Sequence, residues 1–235
     1  MPPSSTLDAK KLTALVVALA LGVALWDSPV LWPLKILVVA FHETGHAVAS
    51  LWVGGSVEHI TLRPNESGEC LSSLPSGFFA KVAVYSGGYL GSALTGALLL
   101  LFTFRLRLRR IVLGAMSAWL VVIAFFYARD GFTLLFCLGT AGVLGTGARV
   151  LPLAAVEVLN LFLAAFSSLY AVMDLKDDLW DGSARAHTDA QLLANVTFVP
   201  SLVWAAVWTL FALAVLSTAG WWSVRGRRPL PAPPP

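Results

Sequence analysis

The chain has 235 residues, 57% of them hydrophobic and only 12% charged, with a mean hydropathy of +0.78. Water-soluble domains carry roughly 25% charged residues, so the composition excludes one and points to a membrane-embedded domain. The net charge of +3 comes from arginines clustered between apolar segments, where membrane topology puts them, and no nucleic-acid partner is expected.

In chain order, a polar N-terminus (1–11) leads into seven apolar segments: 12–26, 30–53, 79–104, 111–128, 131–151, 152–175 and 196–219. Most are long enough for a helix to cross hydrocarbon, which takes about 20 residues. The first is short and is expected to be tilted or incompletely inserted. No cleavage site for a signal peptide precedes WDSP, so it reads as a retained span. Residues 54–77 alternate apolar and polar around VEHITLRP, the pattern of a surface strand or hairpin. Residues 176–195 read as a polar loop dense in aspartate, and 220–235 as a basic, proline-rich, disordered tail. The fold class is therefore an all-α polytopic membrane protein of about six to seven transmembrane helices, with a small β region after the second segment. The domain covers 12–219.

The clusters RLRLRR (105–110) and RGRR (225–228) are separated by four spans. They fall on one side, which the positive-inside rule makes cytoplasmic. If 12–26 and 30–53 both span, Lys10 and Lys11 fall on the other side, in conflict with that rule. Cys70 and Cys137 form neither a CxxC site nor a disulfide framework.

The second segment contains HETGH at 42–46. On a helix, positions i and i+4 share a face, so His42 and His46 can bind one metal ion. Glu43, one position on, stands beside a metal-bound water as general base. This HExxH spacing suits Zn²⁺, one per chain. Ionisable groups inside a membrane segment cost about 2.5–3.5 kcal/mol each on insertion scales and mark function.

A catalytic zinc usually takes a third protein ligand. His59 and His187 read as solvated loop residues. Asp174 ends a long apolar helix where an unpaired carboxylate is costly, and four crossings separate it from the HETGH helix, returning it to the same side. It is the favoured ligand, with Asp177, Asp178, Asp181 and Asp189 as alternatives.

FHETGHAVA followed by a strand region, with SGGYLGSALTGALLL at 86–100, DLKDD at 174–178 and TDA at 188–190, resembles the site-2 protease family of intramembrane zinc metallopeptidases, in its shorter bacterial and plant-type branch. The resemblance implies zinc ligands at His42, His46 and Asp174, with Glu43 as base. The usual LDG motif is missing; MDL at 173–175 or LWDG at 179–182 stands in its place. Implied with it are a bacterial plasma membrane, lipid surroundings and a membrane-protein substrate cut in or near its spans. A substrate strand is expected to add to an edge at 57–63. The competing function is a metal-binding membrane protein without hydrolytic activity, such as a transporter or assembly factor, which would need the histidines but no base.

Overall fold

A computed structural model describes residues 8–180 and 188–225, the side chains of 171 and 174–180 excepted. The proline-rich tail from 226 onward and most of the polar N-terminus lie outside these residues, as do Asp181 and His187. The described residues form eight helices and one hairpin: α1 (Ala9–Ala24), α2 (Trp32–Trp52), β1 (Ser56–Leu62), β2 (Gly68–Ser73), α3 (Phe78–Leu100), α4 (Arg109–Val122), α5 (Gly131–Val150), α6 (Leu153–Trp180), α7 (Asp189–Thr197) and α8 (Ser201–Val224). Wider π turns extend α3 to Arg105 and α4 to Tyr127. Among the described residues five helices are long and apolar enough to cross a membrane, or six elements if α1 and α2 together count as one.

Side chains sort as a bilayer demands. Phe166, Leu100, Leu113 and Leu163 are sealed inside, whereas Leu135, Val143, Leu202 and Leu210 stand exposed on α5 and α8. In water such a surface would aggregate; against lipid it needs no cover.

The junction of the first two helices removes the conflict over Lys10 and Lys11. Asp8 caps α1 by accepting from Lys11 N–H, and Ser28 caps a single 3-10 turn that leads into α2. The two axes meet at 116°, so α2 leans across the bundle and does not run back beside α1. At the start of α1, the Asp8 N–H donates to Val224 O (2.7 Å) and the Lys11 ammonium lies 5.8 Å from the Phe104 ring centre. The lysines thus share an end with the arginines around α3–α4 and after α8. Hydropathy alone sees two apolar lengths and cannot see the bend.

The β region is an antiparallel pair in register from Ser56↔Ser73 to Leu62↔Gly68, with an irregularity between Val57 and His59. It lies along α2. Leu62 N–H donates to Thr133 Oγ1 (2.8 Å) at the start of α5, and Trp32 Nε1–H donates to Pro64 O (2.7 Å) in the turn. Lys35 Nζ, 4.8 Å from the Trp26 ring centre, reaches Glu66 Oε2 at 2.9 Å. Glu66 adopts φ +67°, uncommon outside glycine and asparagine, so this contact holds a turn that local preference does not.

The polar stretch 176–195 is not one loop. Its first residues extend α6 to Trp180, and its last form α7. Thr188 caps α7 by accepting from Gln191 N–H, and Phe198 in the left-handed region, before Pro200, separates α7 from α8.

Removing the Lys35 ammonium leaves a partly exposed carboxylate, so the cost falls below that of a fully buried pair, at about 1–2 kcal/mol. Lys35→Met is expected to lower the melting temperature in detergent and to speed proteolysis within 63–67. Digestion at the wild-type rate would show that the turn is held by other contacts.

Candidate metal centre

Helix α2 carries the site on the face turned toward α3, and glycines set how near the two helices come. A Cβ built on Gly45 would overlap the Gly87 carbonyl, and one on Gly91 would lie 2.7 Å from Gly45 Cα. With the backbones this close, the imidazoles of His42 and His46 lie against Gly88, where any Cβ would collide with both Nε2 atoms. SGGYLGS is therefore both packing surface and site wall.

His46 Nδ1 is 2.6 Å from Val84 O. A carbonyl can only accept, so Nδ1 carries the proton and Nε2 points away as an electron-pair donor. His42 packs edge-on against Tyr89, ring centres 4.8 Å apart at 89°, and Tyr89 in turn stacks on Trp208 of α8 at 4.9 Å. His42 Nδ1 is buried with no hydrogen-bond partner among the described residues.

The third group comes from α7. Asp189 Oδ2 lies 3.1 Å from His42 Nε2 and 3.0 Å from His46 Nε2, and the two nitrogens are 3.0 Å from each other. Three ligand atoms thus surround one point. Donors around a tetrahedral zinc with bonds of about 2.0–2.1 Å sit only a few tenths of an ångström farther apart. Electron pairs so directed repel unless a proton or cation lies between them, so the donor set fits a divalent metal. Burial pushes the Asp189 carboxyl up, but the facing His46 and His42 outweigh it and hold the group well below the usual carboxylate range. Among the described residues these three are the only cluster of this kind.

Each expected site residue can now be placed. His42 and His46 meet as the HExxH spacing requires. Glu43 is buried, and Gly68 of β2 approaches so closely that a Cβ there would strike its carboxylate. Asp174 and its neighbours Asp177 and Asp178 belong to α6, but their side chains lie outside the described residues. His59 stands on β1 and does not line the cavity. Asp189 had a legible signal of its own. Thr188 with Gln191 three residues later is a capping pattern, which places Asp189 in the first turn of a helix instead of in a solvated loop.

A cavity of about 600 Å³ opens onto the three ligands and Glu43. Its other walls are Tyr85, Tyr89, Tyr170, Leu192 and the hairpin from Arg63 to Leu74. The strand bordering it is β2, through Gly68 to Ser72; β1, the strand expected to offer an edge at 57–63, contributes no lining residue. Burial, with the Glu43 carboxylate nearby, pushes the Cys70 thiol up to about 12.

Fold and site together define a polytopic membrane protein with a His–His–Asp cluster and a carboxylate beside it. The model of the Peptidase M50B-like family matches residues 13–219, and the chain belongs to that family, the site-2 protease group its motifs resemble. No curated protein and no solved structure gives a significant match.

Two outcomes follow. Gly88→Ala is expected to weaken metal binding at least about tenfold while the helical circular dichroism is retained; wild-type metal content in this variant would remove Gly88 from the site. Cys70 is expected to stay protonated at pH 8 and to react with iodoacetamide far more slowly than a thiol of ordinary pKa, about 8.5, whereas rapid alkylation would contradict its burial.

Proposed function

We propose that this membrane metallopeptidase binds one zinc ion through His42, His46 and Asp189 and hydrolyses peptide bonds in or near the membrane spans of other proteins. The observation that carries the reading is the convergence of three ligand atoms within 3.1 Å next to a buried glutamate in an open cavity. Asp174 was the favoured third ligand on sequence grounds; Asp189 is preferred because its oxygen meets both imidazoles.

Zinc at such a site would polarise a scissile carbonyl and acidify a water. Glu43 moves the protons: its carboxylate takes one from the attacking water and delivers it to the leaving amine. Val84 O keeps His46 in the tautomer that turns Nε2 inward, and the Tyr89–Trp208 stack keeps the His42 ring on edge. A helical substrate conceals its backbone, so a cleavable segment has to unwind. The outer edge of β2, along the cavity, can then pair with the extended chain.

The test is zinc content and cleavage in detergent for four single variants. His46→Ala and Asp189→Ala are expected to lose the metal, and Asp174→Ala to keep it. Glu43→Gln should retain zinc while cleavage falls by about 10²–10⁴-fold. Loss of zinc with Asp174→Ala and not with Asp189→Ala would return the third ligand to α6. Full cleavage by Glu43→Gln would remove Glu43 as the general base, and a zinc-loaded wild type that cleaves no membrane substrate would favour the metal-binding alternative.

A further inference from the structure

The glycine contact between α2 and α3 has a second face. There Gly45, Gly87 and Gly91 floor an apolar groove of about 790 Å³ that shares no lining residue with the metal cavity. Leu94, Leu98 and Phe102 of α3 form one bank, and Val112, Ala115 and Trp119 of α4 the other. Trp119 stacks on Phe41, ring centres 4.8 Å apart, which ties α4 to α2. No described residue covers the groove, and Leu94, Leu98 and Ala115 stay exposed along it.

Its dimensions exclude most occupants. Between Val82 and Phe102 the groove follows α3 for roughly 30 Å at helical rise, so its volume leaves a channel about 5 Å across. An α-helix with its side chains is about 10–12 Å wide and cannot enter. An extended peptide matches the width, but its backbone N–H and C=O groups need partners in an apolar setting. The polar side chains of the groove are Thr44, Ser86 and Thr95, and the Thr44 hydroxyl already donates to Ala40 O at 2.7 Å. A polymethylene chain needs no polar partner and fills this width at carbon contact distances of about 3.5–4.0 Å.

Charge at one mouth of the groove supplies the head group. The α3–α4 connection carries Arg105, Arg107, Arg109 and Arg110, and neither helix carries a carboxylate. Arg109 is paired with Glu157 of α6, and Arg110 donates to carbonyls at the end of α5. Arg107 stands exposed at φ +59°, with no ion pair to a described residue. The Leu108 N–H donates to Phe102 O at 2.8 Å, which sets Arg107 beside the end of the groove. A guanidinium so placed suits a phosphate, because basic pockets between membrane helices bind anionic head groups. One leaflet of hydrocarbon is about 15 Å deep, and α3 rises about 16 Å from Phe102 back to Gly91. A chain anchored at Arg107 therefore ends on the glycine floor.

We infer that this groove holds one acyl chain of an anionic phospholipid whose phosphate sits on Arg107. The chain lies between α3 and α4 from Phe102 to Gly91, against the back of the helix contact that places His46 and Gly88. The inference does not rest on the peptidase reading.

The experiment reconstitutes the full chain in phosphatidylcholine vesicles with a minor fraction of phosphatidylglycerol that bears a diazirine midway along one acyl chain. After irradiation, crosslinked peptides are mapped by mass spectrometry. Crosslinks are expected within 91–102 and 112–119, well above those at the exposed Leu135 and Val143 of α5. Ala115→Phe, which fills the groove from an exposed position, is expected to remove most of them, and Leu135→Phe to leave them unchanged. Arg107→Asn, a residue that tolerates positive φ, is expected to weaken capture about fivefold, the effect of one arginine at a membrane surface. Retained helical circular dichroism shows that each variant is folded. Even labelling of the groove and the α5 face, or wild-type capture by Ala115→Phe, overturns the acyl-chain site. An equally strong signal from a matched phosphatidylcholine probe, or full capture by Arg107→Asn, overturns the anionic head group.

Discussion

Everything at the site depends on how closely α2 approaches α3. Two helices with ordinary side chains at their contact keep their axes about 8–10 Å apart. Here Gly45 meets Gly87 and Gly91 with no Cβ on any of the three, the small-residue contact that membrane helices use in place of a hydrophobic driving force. That approach brings Val84 O within reach of His46 Nδ1 and lays Gly88 under both imidazoles. Were these helices separated by side chains, His46 would lose the acceptor that sets its tautomer, and the Nε2 atoms would face a wall of methyl groups.

The second requirement is that polar groups inside an apolar bundle be answered locally. Glu43, His46 and Ser50 are buried on α2, and each costs free energy in hydrocarbon unless paired. Most of what answers them is outside α2 itself. Asp189 enters from α7, Ser72 of β2 accepts from Ser50 Oγ at 2.9 Å, and Gly68 of β2 closes over Glu43. The hairpin therefore seals the polar face of α2 while leaving a cavity above the ligands. Its turn is fastened at the far end of α2 by Lys35 and Trp32, so the same short β unit both shields the site and borders the path into it.

Much of this was legible in the residues, for identifiable reasons. HETGH is a helical spacing, and spacing survives folding, so His42, His46 and Glu43 could be read directly. The alternation in VEHITLRP likewise announced the hairpin, though not which strand would border the cavity, because that depends on which side of the pair α2 occupies. The bend between α1 and α2 was invisible to hydropathy, which measures length and not direction. Asp189 was only one alternative among five aspartates. Charge density suggested a hydrated loop, while the better guide was the capping pair Thr188 and Gln191, which starts a helix whose Ala190 and Leu193 are buried. A local backbone signal outweighed regional composition.

The central claim, one metal held by two imidazoles and one carboxylate, is tested most directly by X-ray absorption at the zinc edge of the detergent-purified, zinc-loaded protein. The expected result is a first shell of nitrogen and oxygen only, at about 2.0–2.1 Å, with outer-shell scattering from two imidazole rings. Cys70 lines the same cavity, so a sulfur shell near ~2.3 Å would show a different ligand set. That result, or scattering from fewer than two imidazoles, would contradict the His42–His46–Asp189 centre.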